Sequence, residues 1–207
     1  MIFETIVVGP LGVNCFILGC KETMEGIVVD PGADGDKVLA AVGKRDLKVK
    51  YVINTHGHFD HVGANRTIVE ASGAKLLIHQ DDLHLLSRAA DLAASYGLTA
   101  EDSPKPDEFL EDGMMLNLGK HQLKVLHMPG HSRGGCCLYL EDEKKVITGD
   151  TLFAGAVGRT DFPDSSHEDL IDGIRKKLLV LPEETQVFPG HGPSTTIGRE
   201  KRHNPYL

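Results

Sequence analysis

One short segment, residues 55–61 with the sequence THGHFDH, limits what this chain can fold into more than any other stretch. It places three imidazoles and one carboxylate directly after a predicted strand at residues 50–53. Packing these groups together without a cation would leave polar atoms that are costly to bury. Imidazole nitrogens and carboxylate oxygens are ligands that Zn²⁺ binds well. The fold must therefore present this segment at a point where metal ions can be held.

The directions of the side chains in this segment predict two neighbouring metal positions. His56 and His58 alternate along an extended stretch, so both can face one ion. Gly57 lets the backbone turn tightly between them. Asp60 and His61 follow in the turn that enters the next helix, so they face a neighbouring point. We therefore expect a pair of ions.

Three more ligand-type side chains follow predicted strands, each directly after a glycine: His131, Asp150 and His191. Layered folds commonly build a site from the ends of several strands, so these side chains are predicted to converge on the first segment. Taken singly, each also fits an ordinary turn. Asp150 is the carboxylate that we expect to bridge the two ions. The predicted ligand sets are His56, His58 and His131 for the first ion, and Asp60, His61 and His191 for the second.

The remaining histidines are predicted to be surface or core residues: His79, His84, His121, His127, His167 and His203. Structural zinc sites are usually closed by four cysteine or histidine ligands. A pair of sites that is rich in carboxylates and leaves room for solvent indicates catalysis instead. Asp60 and Asp150 are then the predicted catalytic carboxylates, beside a water-derived nucleophile.

The charge and cysteine pattern of the chain argue against several classes of protein. The formal net charge is -8, from 22 Lys and Arg against 30 Asp and Glu, whereas a nucleic-acid-binding protein usually has a basic excess. No apolar run reaches the roughly 18–20 residues that cross a bilayer, and the first residues do not resemble a signal peptide. The four cysteines form no CxxC pair, which is typical of reduced thiols. We expect a cytoplasmic protein without nucleic-acid or membrane partners.

Hydrophobic periodicity and turn residues predict short strands and helices in one domain, residues 1–207. The predicted strands are 2–8, 14–18, 26–29, 50–53, 75–78, 114–118, 122–127, 136–140, 145–148 and 186–188. The predicted helices are 36–42, 62–71, 81–86, 89–96 and 167–179, with Ser165 or Ser166 as the cap of the last. This order predicts an α/β fold, a four-layer αββα sandwich of two mixed β-sheets with helices on the outer faces.

The predicted ligands resemble those of the metallo-β-lactamase superfamily. The HxHxDH segment at 56–61, the later Gly-His, the Gly-Asp and the final Gly-His occur in that family's order and spacing. The resemblance covers nearly the whole chain, from the turn at residues 28–32 onward. It implies the αββα sandwich and a dinuclear site at one edge of it. Two Zn²⁺ per chain are expected, with iron or manganese as alternatives at one or both sites.

Within that superfamily, the chain resembles the glyoxalase II-like hydrolases in four stretches: residues 10–15, 130–135, 158–163 and 202–207. A bridging Asp150 is typical of that branch. Arg159 lies where the family places a basic residue near the glutathione carboxylate, although a structural ion pair fits equally well. Full-length glyoxalase II continues into a C-terminal helical domain. Because this chain ends soon after His191, we expect a short form of the enzyme. The identity of the thiol that carries the acyl group is left open.

The resemblance leaves three functions open. The first is hydrolysis of a small-molecule acyl thioester, such as S-lactoylglutathione, by a hydroxide that two ions generate. The second is a persulfide dioxygenase, in which His56, His131 and Asp150 would hold a single Fe²⁺. The third is another hydrolase of the superfamily, such as a lactonase or a nuclease. The negative charge counts against a nuclease, and metal content distinguishes the first two.

Overall fold

The computed structural model describes all 207 residues, and its strands form two six-stranded sheets. The first sheet holds β1 to β6 in sequential order: Ile2–Val8, Val13–Gly19, Glu25–Val29, Lys48–Ile53, Lys75–His79 and Glu108–Leu110. β1 to β3 pair antiparallel, and β3 to β6 pair parallel. Parallel neighbours need crossover connections, and the chain between them forms helices.

The second sheet has the strand order β14-β13-β10-β9-β8-β7. Its strands are β7 Met115–Leu118, β8 His121–His127, β9 Cys136–Leu140, β10 Lys145–Gly149, β13 Gln186–Pro189 and β14 Thr195–Thr196. All neighbours pair antiparallel except β10 and β13, which are parallel. A separate ribbon pairs β11 Leu152–Phe153 with β12 Ala156–Val157.

Seven α-helices complete the chain: α1 Gly35–Gly43, α2 Phe59–Val62, α3 Asn65–Ser72, α4 Leu83–Leu86, α5 Ala89–Ser95, α6 His167–Gly173 and α7 Ile197–His203. One buried cluster joins side chains of both sheets, among them Phe16 and Leu138. A second packs α1 and α3 against the first sheet, and a third packs α6 and α7 against the second sheet. The predicted αββα sandwich of two mixed sheets is therefore confirmed.

Several element boundaries differ from the prediction. The helix predicted at 62–71 begins later, at Asn65, because Ala64 leaves helical geometry (φ -113°) and donates its N–H to the Pro31 carbonyl at 2.9 Å; residue 62 instead ends the short helix α2. The helix predicted at 167–179 begins with the Ser166 hydroxyl accepting the Asp169 N–H, and its last turns, Ile174–Leu178, are π-helical. The predicted helix at 81–86 begins as a 3₁₀ turn, Gln80–Asp82.

The elements absent from the prediction are mostly short: β6, β11, β12, β14 and α7. Strands of two or three residues show no alternation, so tertiary pairing alone defines them. All four cysteines are buried and free, in line with the predicted reduced thiols. None of the helices has both the length and the apolar composition that crossing a membrane requires.

Candidate metal centre

All seven predicted ligands meet at one edge of the sandwich, where strands of both sheets end. Parallel pairing of Ile147 with Phe188 places the segments after β10 and β13 side by side. An isolated bridge between Val13 of β2 and His191 joins the segment after β13 to the first sheet. Ligand atoms lie within 4.8 Å of one another in each of three sets: His56, His58 and His131; Asp60, His61 and His191; and His56, His61 and Asp150.

We call the first set the His-rich group and the second set the mixed group. Asp150 lies between them. Its Oδ1 lies 3.5 Å from His61 Nε2, while its Oδ2 lies 3.6 Å from His131 Nε2 and 3.7 Å from His191 Nε2. One carboxylate therefore faces both groups, as a bridging ligand must. A Cβ at Gly190 would overlap Asp150 Oδ1, which explains why glycine precedes His191.

Hydrogen bonds from Nδ1 orient three of the imidazoles. Each ring points Nδ1 to an oxygen outside the cluster: His61 to Asp30 Oδ2 at 3.0 Å, His131 to the Arg159 carbonyl at 2.8 Å, and His191 to the Leu11 carbonyl at 3.1 Å. The donor role of Nδ1 leaves Nε2 as the basic nitrogen that faces the centre. This tautomer leaves Nε2 of each of the three rings free to bind a metal ion.

Three buried polar atoms of the centre have no hydrogen-bond partner: His56 Nε2, His61 Nε2 and Asp150 Oδ1. Leaving a buried polar atom unpaired costs about 1–3 kcal/mol, so native proteins rarely do it. Here the three atoms converge on one small space. A divalent cation is the partner that such nitrogen and oxygen atoms share, so the residues present fit a metal ion.

The protonation of the histidines differs between the two groups. Burial and the neighbouring imidazoles hold the pKa of His56 well below its usual range and lower the pKa of His58 to about 3. Burial also opposes a charge on His61, but the Asp150 and Asp30 carboxylates raise its pKa to about 10. Without a cation, a proton on His61 therefore balances the carboxylates of the centre.

We expect the affinity of the mixed group for a divalent cation to rise with pH, because His61 must lose its proton before Nε2 can bind. Below its pKa of about 10, each pH unit costs about tenfold in affinity per displaced proton. His56 and His58 are already neutral near pH 7, so neither of these two ligands should release a proton there when the His-rich group binds an ion. Titration calorimetry in buffers of different ionisation enthalpy measures these protons. Equal proton release for both ions would contradict the expectation.

Asp30 is a residue of the candidate centre that the sequence did not reveal. It is fully buried and adopts a left-handed backbone conformation with φ 51°. Its carboxylate accepts the Thr55 N–H and hydroxyl, each at 2.7 Å, as well as His61 Nδ1. It thus fixes both the start of the ligand segment and the orientation of a ligand. An aspartate in a turn after a strand is ordinary, so its sequence position alone carried no signal.

A cleft of about 720 Å³ opens onto the centre. His58, Asp60, His131, Asp150 and His191 reach its surface. Apolar side chains from two segments form much of its walls: Leu85, Leu92 and Tyr96 from the α4–α5 region, and Phe153, Val157 and Phe162 from the region of β11, β12 and the loop after them. Its size and mixed lining suit a small-molecule ligand.

Three arginines line the cleft, and they differ in their partners. Arg159 makes two hydrogen bonds to Asp161, at 3.0 and 3.1 Å. The structural ion pair that was the alternative to substrate binding is therefore formed. A direct role for Arg159 in substrate binding stays a prediction. Arg133 pairs with Asp164 at 2.9 Å. Arg88, between α4 and α5, has no acidic partner. Nothing in the sequence distinguished it from other surface arginines.

Comparison with known proteins gives consistent matches over the whole chain. A model of the metallo-beta-lactamase superfamily matches residues 8–191. The chain is 38% identical to hydroxyacylglutathione hydrolase GloC of Haemophilus influenzae, covering 100% of this chain and 98% of that protein. It is 36% identical to the probable metallo-hydrolase YqgX of Bacillus subtilis, covering 97% and 94%.

Two solved structures are also similar over nearly their full lengths. The BLEG-1 B3 metallo-beta-lactamase has a TM-score of 0.93 at 33% identity, and the alignment covers 100% of this chain and 99% of that chain. TTHA1623, solved in a di-iron-bound form, has a TM-score of 0.91 at 39% identity, with coverage of 99% and 100%. Sequence and structure comparisons therefore agree on the same fold.

Proposed function

The chain belongs to the metallo-beta-lactamase superfamily, and on that premise we propose that it is a dinuclear, metal-dependent thioesterase of the glyoxalase II type. It would convert an acyl thioester such as S-lactoylglutathione to a hydroxy acid and a thiol. The observation that carries the proposal is Asp150, which faces two complete ligand groups at the floor of a cleft. The relative GloC, a hydroxyacylglutathione hydrolase, supports the same reaction class.

Two Zn²⁺ ions are the cofactors that we propose, held by His56, His58, Asp60, His61, His131, Asp150 and His191. Iron is the first alternative, because TTHA1623 was solved with two iron ions. A cytoplasmic location is proposed as well, since four free and buried cysteines suit a reducing compartment.

The residues of the cleft leave water as the nucleophile. Ser132 reaches the cleft, but its hydroxyl donates to Asp82 at 2.7 Å. No cysteine lines the cleft, and burial raises the pKa of the Cys137 thiol to about 12 and that of Cys136 well above its usual range. Neither this serine nor any cysteine is therefore poised to attack, which favours activated water as the nucleophile.

The ligand side chains also position the reacting groups. Bound divalent cations supply hydroxide at neutral pH and polarise a carbonyl group. Asp60 reaches the cleft and lies 3.3 Å from His191 Nε2, so its carboxylate is placed to orient the attacking water as well as to bind. A thiolate is a good leaving group, so the cleft needs no dedicated general acid. Phe162 and the other apolar wall residues offer a surface against which the acyl group can pack.

A mononuclear iron persulfide dioxygenase is the alternative. It would require only His56, His131 and Asp150 as ligands. That arrangement gives no role to the mixed group, whose three ligand atoms also lie within 4.8 Å of one another. One iron per chain, with oxygen uptake on a persulfide, would favour the dioxygenase. A lactonase would use the same two-metal centre and is distinguished by substrate.

Turnover of a thioester panel tests the proposal. The Zn²⁺-loaded protein should hydrolyse S-lactoylglutathione or a related acyl thioester, lose this activity on chelation and regain it when Zn²⁺ is returned. Lactones and the oxygen ester of the same acid serve as comparison substrates. Protein that holds two ions per chain but cleaves no acyl thioester would contradict the proposal.

Arg88 suggests the charge of the substrate. Because it lines the cleft without an acidic partner, we propose that it pairs with an anionic group on the thiol side of the thioester. Arg88→Ala should then lower kcat/KM about tenfold for a carboxylate-bearing thioester, the loss of one charge-assisted hydrogen bond. A neutral thioester with the same acyl group should change less than twofold.

Arg175→Ala is the matched control for Arg88→Ala. Arg175 is also exposed and has no ion-pair partner, but it lies in the helical turns after α6 and does not line the cleft. Its replacement should alter neither substrate class. Equal losses of kcat/KM for charged and neutral thioesters in Arg88→Ala would show that Arg88 does not bind the anionic group.

A further inference from the structure

Asp82 is a fully buried carboxylate that joins two separate segments of the chain. Its Oδ2 accepts the Gly57 N–H at 2.9 Å and the Ser132 hydroxyl at 2.7 Å. Its Oδ1 accepts the Gly134 N–H at 2.6 Å. No lysine, arginine or histidine forms an ion pair with it. The buried carboxylate is therefore stabilised only by neutral donors. Burying a charge without an ion pair is costly, which indicates that these hydrogen bonds serve a specific purpose.

The two segments are those that supply the His-rich group. Gly57 lies between His56 and His58, and Ser132 directly follows His131. The three ligands of this group come from strands in different sheets, β4 and β8, so their spacing depends on what holds these segments together. None of the hydrogen bonds of Asp82 goes to Asp60, His61 or His191.

Two glycines make the contact with Asp82 close. A Cβ at Gly57 would lie 2.9 Å from the Asp82 carbonyl oxygen and 2.8 Å from Leu85 Cβ. A Cβ at Gly134 would lie 2.8 Å from the Asp82 carboxyl carbon. Any larger residue at either position would push the segments away from the carboxylate. Gly57 and Gly134 thus both allow the close packing of their segments around Asp82.

We propose that Asp82 is a positioning residue that sets the divalent-cation affinity of the His-rich group without acting on the mixed group. It ties the HGH segment to the loop after β8 and so fixes the separation of His58 from His131. His58 Nδ1 lies 2.9 Å from His131 Nε2. The inference rests on the proposed function only where that function assigns a cation to the His-rich group. It does not depend on the substrate.

Asp82→Asn tests this inference with little change in shape. The amide oxygen can still accept two of the three donors, whereas its NH₂ group faces the third donor and cannot accept from it. Titration of metal-free protein with Zn²⁺ should show one of two binding steps weakened about 10–100-fold, the range expected when a partner that orients ligands is lost. The other step should stay within twofold.

Two further variants keep the test decisive. Ser132→Ala removes one donor and leaves the carboxylate paired with two N–H groups, so it should weaken the same step by a smaller factor even if Asp82→Asn folds poorly. Asp107→Asn is the matched control, because Asp107 also accepts a backbone N–H, that of Leu76 at 2.8 Å, but lies outside the cleft. It should leave both steps unchanged.

The outcomes separate this inference from the proposed function. Selective weakening of one step supports the inference, even in a protein that cleaves no thioester. Equal weakening of both steps, or no change in either, would overturn it and show that Asp82 has only a general structural role. Imidazole resonances of the metal-free protein give a second readout: those of His58 and His131 should shift in Asp82→Asn, and that of His191 should not.

Discussion

Asp150→Asn should lower kcat/KM for an acyl thioester by about 10³-fold, or ~4 kcal/mol, the largest loss that we expect from any single isosteric change. Asp150 is the only carboxylate with oxygens facing histidines of both groups, at 3.5 to 3.7 Å. Its amide analogue keeps the shape but carries no negative charge to offset two cations. Steady-state hydrolysis measures the loss, and elemental analysis should show fewer than two ions per chain.

Asp172→Asn is the control for that substitution. Asp172 is exposed and pairs only with Lys176, one helical turn away, so its replacement should leave kcat/KM and metal content unchanged. If Asp150→Asn kept both ions and more than a tenth of the wild-type kcat/KM, Asp150 would not be the bridging ligand.

Removal of the metal should lower the melting temperature by about 8–16 °C. A ligand present at about 1,000 times its Kd stabilises a folded protein by about 4 kcal/mol. For a chain of this length, each kcal/mol changes Tm by about 2–4 °C. The structural reason is that His56 Nε2, His61 Nε2 and Asp150 Oδ1 are buried without a hydrogen-bond partner when no cation is bound. Thermal unfolding before and after dialysis against a chelator measures the effect.

The melting experiment has an internal control. Returning Zn²⁺ should restore the higher Tm in the wild type, whereas His58→Ala combined with Asp60→Ala removes one ligand from each group and should respond far less to either treatment. A Tm that is unchanged by the chelator, with the ions shown to be gone, would mean that the polar cluster is satisfied without a cation.

The clustering of the candidate ligands could be predicted from sequence because most of the information on it is local. His56, His58, Asp60 and His61 fall in one short segment, and a glycine before His191 marks a close approach that the structure confirms at Gly190. Asp30 and Asp82 gave no such signal. They act on residues 25 to 52 positions away, through hydrogen bonds that only the folded chain forms.

The fold shows the same division. Long alternating strands such as β8, whose residues are buried and exposed in turn from His121 to Val125, could be predicted from the sequence. The break between α2 and α3 could not, because it depends on a hydrogen bond from the Ala64 N–H to the distant Pro31 carbonyl. Arg88 illustrates the limit for function: only the assembled cleft shows that its neighbours Arg133 and Arg159 are paired and that it is not.

Anomalous diffraction from crystals of the Zn²⁺-loaded protein tests the two-metal centre most directly. Two zinc peaks per chain are expected, one among the nitrogens of His56, His58 and His131 and the other among Asp60, His61 and His191. Ligand distances should be about 2.0–2.2 Å, with a carboxylate oxygen of Asp150 bound to each ion. A single peak, or a crystal in which Asp150 or His191 points away from the metal, would contradict the dinuclear centre on which the proposed chemistry depends.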